Sequence, residues 1–184
     1  MVRAGGLTCW GYNGGGECGA PNSGERTPFD VALPQAVTDV AAGDGHTCVV
    51  LADGSVRCWG FNNHGQTTGA AGDGPMQRTP NLGGKKAKAI VAGGDHSCAL
   101  LSDDTLMCWG EGTRGELGNG VLADATSPVA VNDLAGVKSV AAGGRRTCAV
   151  LADGSGYCWG DNRSGELGDG VVMTTGVPAN VIGY

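Results

Sequence analysis

The stretch VAAGDGHTCVVLADGSVRCWGFNNHG (40–65) recurs as VAAGGRRTCAVLADGSGYCWGDNRSG (140–165), identical at 17 of 26 positions. Between them, IVAGGDHSCALLSDDTLMCWGEGTRG (90–115) keeps the cysteines, the tryptophan and most glycines. The intervals Cys48 to Cys98 to Cys148, and Trp59 to Trp109 to Trp159, are each fifty residues. A fixed period of that length marks a unit that stacks on its own copies. MVRAGGLTCWG (1–11) aligns without gaps to VLADGSVRCWG (50–60), so the sequence opens inside a unit. The 184 residues hold about 3.7 units. They read as a single repeat domain over 1–184, with a partial repeat at 1–39, repeats at 40–89 and 90–139, and an incomplete one at 140–184.

Each unit reads as β. Val40–Ala42, Ile90–Ala92 and Val140–Ala142 are short apolar runs, each ended by a glycine. A half-buried stretch such as Thr47–Leu51 follows, then the turn Ala52-Asp53-Gly54, then Ser55–Trp59. Two short runs joined by Asp-Gly are a hairpin signal. No ten-residue segment has helical periodicity, and 36 glycines are too dense for helices. Gly-rich loops are expected from Gly60 to Pro80 and from Gly110 to Pro128. Units of this kind and period are propeller blades or a β array.

The turn sets the register. A three-residue loop, with Gly54 in the left-handed region, pairs Leu51 with Ser55 and so places Cys48 opposite Cys58. Opposed residues have Cβ atoms about 4.5–5.5 Å apart, near bonding reach after a small adjustment. The same register gives Cys98–Cys108 and Cys148–Cys158, with Asp104 standing where the other copies have turn glycines. Cys9 and Cys18 remain, and form either a fourth pair or intermolecular bonds. An even cysteine count at regular spacing favours disulfides and an oxidising compartment. Buried free thiols are a rival reading. Structural zinc is another, but it wants Cys-x2–4-Cys knuckles, and no two cysteines here lie that close.

With 12 basic and 18 acidic side chains, the net charge of −6 argues against nucleic-acid binding. No apolar run approaches the roughly 18 residues of a membrane span, so no insertion is expected. The opening MVRAGG shows no secretion signal.

The pattern [VI]-x-A-G-x-x-H-[TS]-C-A-x-L-x-D-G-x-x-x-C-W-G-x-N-x-x-G-E-L-G resembles the repeat of the regulator of chromosome condensation family. The cysteine-bearing, CWG-containing form is similar to extracellular and bacterial members. The resemblance covers 1–19, 36–69, 87–120 and 137–170. It implies an all-β propeller of four-stranded blades, usually seven, in which one repeat spans parts of two blades. This chain would then be a partial or oligomer-completed propeller. The resemblance also implies action through protein contacts, as in nucleotide exchange factors, enzyme inhibitors or receptor ectodomains. Exchange activity carries over poorly, since about half the usual repeats are present and the wedge hairpin has no candidate. Cys18 departs from the pattern, standing where the later repeats have Leu117 and Leu167.

Residues recurring once per unit are read as structural, because catalysis seldom needs one copy per blade. That covers His46 and His96 (Arg146 in the next unit), Asp53, Asp103 and Asp153 at the turns, and Glu17, Gln66, Glu116 and Glu166 after the loop glycines. Trp10, Trp59, Trp109 and Trp159 are expected to pack the blades; exposed, they would form a platform for sugars or peptides. Gly14-Gly15-Gly16 lacks the Lys-Ser/Thr and the helix of a phosphate loop. The lysines at 85, 86 and 88 read as a solvated connector, and His64 as a solvated loop residue. Asn162-Arg163-Ser164 is a glycosylation sequon by pattern. No Ser-His-Asp set, isolated carboxylate pair or metal cluster stands outside the repeat, so no enzyme, metal or cofactor is expected.

Specificity is expected in the variable loops, where repeat proteins bind partners. Tyr12, Phe61, Asn63, His64, Arg114 and Arg163 are the candidates. The expected function is a non-catalytic, extracellular or cell-surface module for protein interaction or self-assembly, whose partner is another protein or further copies of itself. The alternatives are a lectin-like or peptide-binding propeller, or an inhibitor-type propeller using its loops.

Overall fold

The computed structural model describes residues 2–3, 6–20, 27–69 and 72–181. Fifteen strands form four antiparallel sheets, and no helix is present among the described residues. The first sheet orders β1 (Val2–Arg3), β2 (Gly6–Cys9) and β3 (Phe29–Val31). The second contains β4 (Val37–Ala42), β5 (His46–Leu51), β6 (Val56–Gly60) and β7 (Gly74–Arg78). The third contains β8 (Ala87–Ala92), β9 (His96–Leu101), β10 (Leu106–Gly110) and β11 (Ala125–Ala130). The fourth contains β12 (Val137–Gly143), β13 (Arg146–Leu151), β14 (Gly156–Gly160) and β15 (Thr175–Asn180). Each complete sheet is a simple meander, the shape of a propeller blade. The first strands of successive blades, β4, β8 and β12, lie side by side.

Strands end the segments that composition marks as loops. β7 lies just before Pro80, and β11 starts before Pro128 and runs through it to Ala130, so part of each expected loop is strand. Their glycines and prolines hide them from a pattern search. Pro75, Pro128 and Pro178 are tolerated because these are edge strands, where a missing N–H breaks no inner ladder.

The hairpin register is as the turn chemistry requires. Leu51 N–H donates to Ser55 O at 2.8 Å and Gly54 N–H to Leu51 O at 2.8 Å, with Gly54 at φ 82°. Asp104 adopts the same left-handed conformation at φ 64°. The turn acids act locally: Asp53 and Asp153 each accept from the amide two residues on, at 2.9 Å. Cys48 faces Cys58, Cys98 faces Cys108 and Cys148 faces Cys158, each with a Cα separation of 4.1 Å, and each pair is bonded. Cys9 is bonded to Cys18, and no described cysteine is free. In each complete blade the pairing of the third and fourth strands slips by two residues opposite the tryptophan, between Cys58 and Gly60 and at the equivalent places, with the extra residues on the outer strand. Such bulges re-aim a side chain.

The core lies between blades. One cluster joins Cys48, Val50 and Cys58 of the second blade to Ile90, Leu101 and Trp109 of the third. The next joins Cys98, Leu100 and Cys108 to Val137, Ala149 and Trp159. The first joins Leu7 and Val31 to Val49, Leu51 and Trp59, with Cys9 packed against it. Each tryptophan therefore covers the disulfide of the blade before it.

Candidate functional site

The polar network at each junction repeats as strictly as the core. Trp59 Nε1–H donates to the Glu17 carbonyl, Trp109 to Gln66 and Trp159 to Glu116, each at 2.8 Å. The same carbonyls accept from Thr47, Ser97 and Thr147 hydroxyls at 2.8, 3.1 and 3.0 Å. With that hydroxyl proton committed, Ser97 Oγ accepts from His46 Nε2–H at 2.8 Å, and Thr147 Oγ1 accepts from His96 at 2.8 Å. Histidine, hydroxyl, carbonyl and indole thus form one chain across two blades. Burial pushes His46 down to about 4 and His96 to about 3, the latter helped slightly by His46. Both imidazoles are neutral at pH 7, with Nδ1 unpartnered among the described residues. These histidines are structural.

The loop leaving the third strand of each blade folds on its own side chains. Gly15, His64, Arg114 and Ser164 amides donate to the carboxylate or amide oxygen two residues on, at 2.8–3.0 Å. Asn13, Asn62 and Asn162 each accept from the amide five residues on, at 2.9 Å. The sequon asparagine Asn162 is fully buried by this role, so a glycan has no access to it as the loop stands. Gly16 and Gly65 press on the next blade's outer strand: a Cβ would lie 2.5 Å from Pro75 N and 2.7 Å from Thr126 Cα. Only glycine fits there.

The six partner candidates do not converge. All lie in these loops, at the end of the blades that also carries the turns before His46, His96 and Arg146. Tyr12 is 76% exposed and lies over Gly14. Asn63 is exposed at its turn. Phe61 is instead half-buried, its ring pressed against Gly15 and Gly45 at a junction. His64 is not a free loop residue: its Nδ1 lies 2.8 Å from Asp124 Oδ2 in the next blade's loop, a bond that raises its pKa. Arg163 grips Asp161 within its own loop at 2.7–2.9 Å, which lowers that carboxyl. Arg114 is half-buried, with its amide bound to Glu116. The connector lysines are also engaged: Lys85 pairs with Asp103 at 2.8 Å and Lys88 pairs with Asp104.

Of the tryptophans, Trp59, Trp109 and Trp159 are 0% exposed, which removes three rings from any sugar or peptide platform. Trp10 departs from the packing expectation at 52% exposed. The other three bury themselves against the loop of the preceding blade, 42 or 43 residues earlier in the chain.

One charged group escaped the sequence reading. Arg145 reaches the buried Glu111 of the preceding blade at 3.2 Å and lies beside the fully buried Glu116. Burial raises the Glu116 carboxyl above its ordinary range. At the previous junction the same two positions hold Gln66 and Asp95, joined at 2.9 Å. The paired exchange of Gln/Asp for Glu/Arg was visible at repeat spacing, but only the fold shows that those positions touch.

A model of the regulator of chromosome condensation (RCC1) repeat matches residues 4–50 and 103–150, just over half of the chain. The chain belongs to the RCC1 repeat family. A second model of the RCC1 repeat matches 37–66, 87–116 and 137–166. Among solved structures, yeast RCC1 (Prp20) bound to Kap60 is similar at TM-score 0.87 and 23% identity over 98% of this chain. Human WBSCR16 is similar at TM-score 0.87 and 22% identity over 98%. Prp20p from Saccharomyces cerevisiae, described with its binding to Gsp1p and histones, is similar at 0.84 and 23% over 96%. At that identity these structures establish the propeller fold. The chain spans 45%, 48% and 46% of their lengths, about half. The ranges matched by the second model contain the junction histidines and tryptophans and also the loop residues Phe61, Asn63, His64, Arg114 and Arg163.

Proposed function

We propose that this RCC1-repeat chain is a non-catalytic protein-interaction module of an oxidising, extracellular or cell-surface setting. The observation that carries the reading is the assignment of its recurrent polar residues: histidines and hydroxyls are consumed in holding blade to blade, and carboxylates and loop asparagines in holding each loop on itself. What is left to face solvent at the loop end is a set of non-repeating side chains, Tyr12, Asn63 and Arg163 among them. Variable loops on a rigid repeat scaffold recognise partners. Four bonded cysteine pairs support an oxidising compartment. The partner is a protein, including further copies of this chain.

A photo-crosslinker at position 12 or 163, compared with one at Asp103 on the opposite end, tests the reading. Protein adducts from the loop end alone are expected. Equal yields from both ends, or none, would sink it. Alkylation of the native protein under denaturing, non-reducing conditions tests the compartment: stoichiometric free thiols would contradict it.

A further inference from the structure

The junction between the third and fourth blades departs from the one before it at a single pair of positions. Between the second and third blades, His64 of one loop meets Asp124 of the next at 2.8 Å. Fifty residues on, the same two positions hold Arg114 and Thr174. The equivalence is structural: Gly110 pairs with Ala125 as Gly160 pairs with Thr175, so 124 and 174 stand at the same step before their outer strands. Arg114 thus keeps the cation of the earlier pair and has lost its carboxylate. Among the described residues, no hydrogen bond or ion pair reaches its guanidinium. Both blades of this junction are in place, so the lone cation belongs to the junction itself.

Two further guanidiniums lie beside it. Arg145 reaches Glu111 at 3.2 Å, and its carbonyl accepts from the Asp161 amide at 2.9 Å. Arg163 holds the Asp161 carboxylate and lowers its pKa most, and the charge of Arg114 lowers it further. The carboxylates lie underneath: the Glu111 and Asp161 side chains are 5% and 10% exposed, against 46% and 59% for Arg145 and Arg163. Position 163 faces solvent in the inner blades as well, where Asn63 and Thr113 are exposed with a blade on either side.

Apolar side chains border the arginines. Gly115, next to Arg114, packs on β15, where a Cβ would lie 2.4 Å from Thr175 O. Val172 and Met173, leading into that strand, are exposed. Their counterparts Leu122 and Ala123 are exposed too, although blades flank them on both sides. A polyanion backbone is met by an unbroken run of cations. Arginine set among apolar groups suits a carboxylate on a peptide, since its planar fork binds carboxylates and is weakly hydrated.

We propose that this loop-end junction binds an acidic, partly apolar segment of a partner protein, with a partner carboxylate taking the place on Arg114 that Asp124 takes on His64. The segment's apolar residues would lie on Val172 and Met173. The inference rests on the reading of the chain as a protein-interaction module and names the chemistry of its partner.

Fluorescence polarisation on the full 184-residue chain tests it, with a labelled peptide of alternating aspartate, leucine and serine, and with the same peptide carrying asparagine for aspartate. The acidic peptide should bind and its asparagine version should not. Arg114→Gln should weaken binding at least about tenfold. Lys86→Gln, which removes the same charge beside the Gly54 turn at the opposite end, should not. Thr174→Asp supplies the carboxylate from within the chain, so it should raise the melting temperature and weaken the peptide as Arg114→Gln does. No binding of the acidic peptide, equal binding of both peptides, single-stranded DNA bound as tightly, or wild-type affinity in either junction variant would overturn the proposal. Loop-end photo-adducts undiminished in Arg114→Gln would also overturn it while leaving the interaction-module reading standing. Absence of peptide binding and of adducts together would remove both.

Discussion

Trp109 Nε1 lies 2.8 Å from the carbonyl oxygen of Gln66, forty-three residues back in the chain and one blade away. The indole fills the space over the Cys48–Cys58 bridge and also satisfies a buried carbonyl. Trp109→Ala should therefore lose about 3–5 kcal/mol of stability through the cavity it opens. Trp10→Ala, at an exposed ring, should stay within about 0.5 kcal/mol in the isolated chain. Thermal melts of the two variants check the contrast, and equal losses would contradict the burial assigned to Trp109.

The bridges should differ in access. Cys48–Cys58 and Cys98–Cys108 are fully buried under the next tryptophan, whereas Cys148 is partly exposed. Under limiting reductant, alkylation mapping should find Cys148 and Cys158 labelled before the other hairpin cysteines. Each ten-residue loop is worth about 3 kcal/mol or slightly less in the chain-entropy account, so sequential reduction should lower the melting temperature in steps.

Acid should loosen the junctions through the histidines. Their folded pKa values, about 4 and about 3, lie below the ordinary 6.5, so the unfolded chain binds protons first as pH falls. Their contribution is fully present above pH 6.5 and declines from there towards the folded values. For His46 the loss between pH 6.5 and 4 is on the order of 3 kcal/mol. Glu116, whose folded pKa is raised, acts in the opposite sense: its relative stabilisation belongs to low pH and is lost as pH rises through its folded value. Urea titrations at pH 7.5 and 4.5 should show the net fall, and His46→Gln should flatten it. An unchanged slope in that variant would show that His46 is not the group responsible.

Two arginines at the loop end should behave differently. Arg163 is exposed and pairs within its own loop, so Arg163→Ala should be nearly neutral, within about 0.5 kcal/mol. Arg145→Ala leaves the buried Glu111 and Glu116 without their cation. Breaking a fully buried pair costs about 3–5 kcal/mol; with Arg145 nearly half exposed, roughly 1–2 kcal/mol is expected. Denaturant midpoints of both variants decide it.

Hairpin register, disulfide partners and repeat period were legible in the sequence because each is a local matter. A left-handed residue at 54, 104 or 154 leaves one loop length, and that length alone puts Cys48 opposite Cys58. The burial of three tryptophans followed from their recurrence beside those cysteines. The outer strands were hidden, since an edge strand may carry Pro75, Pro128 or Pro178 without penalty and so lacks an alternating pattern. The blade-to-blade relations belong to tertiary structure: Phe61 pressed against Gly45, His64 bonded to Asp124, Arg145 between Glu111 and Glu116, and Trp10 uncovered while its three equivalents are buried. Each depends on how one unit sits against the next, and identical local sequence acquires a different environment according to whether a neighbouring blade covers it.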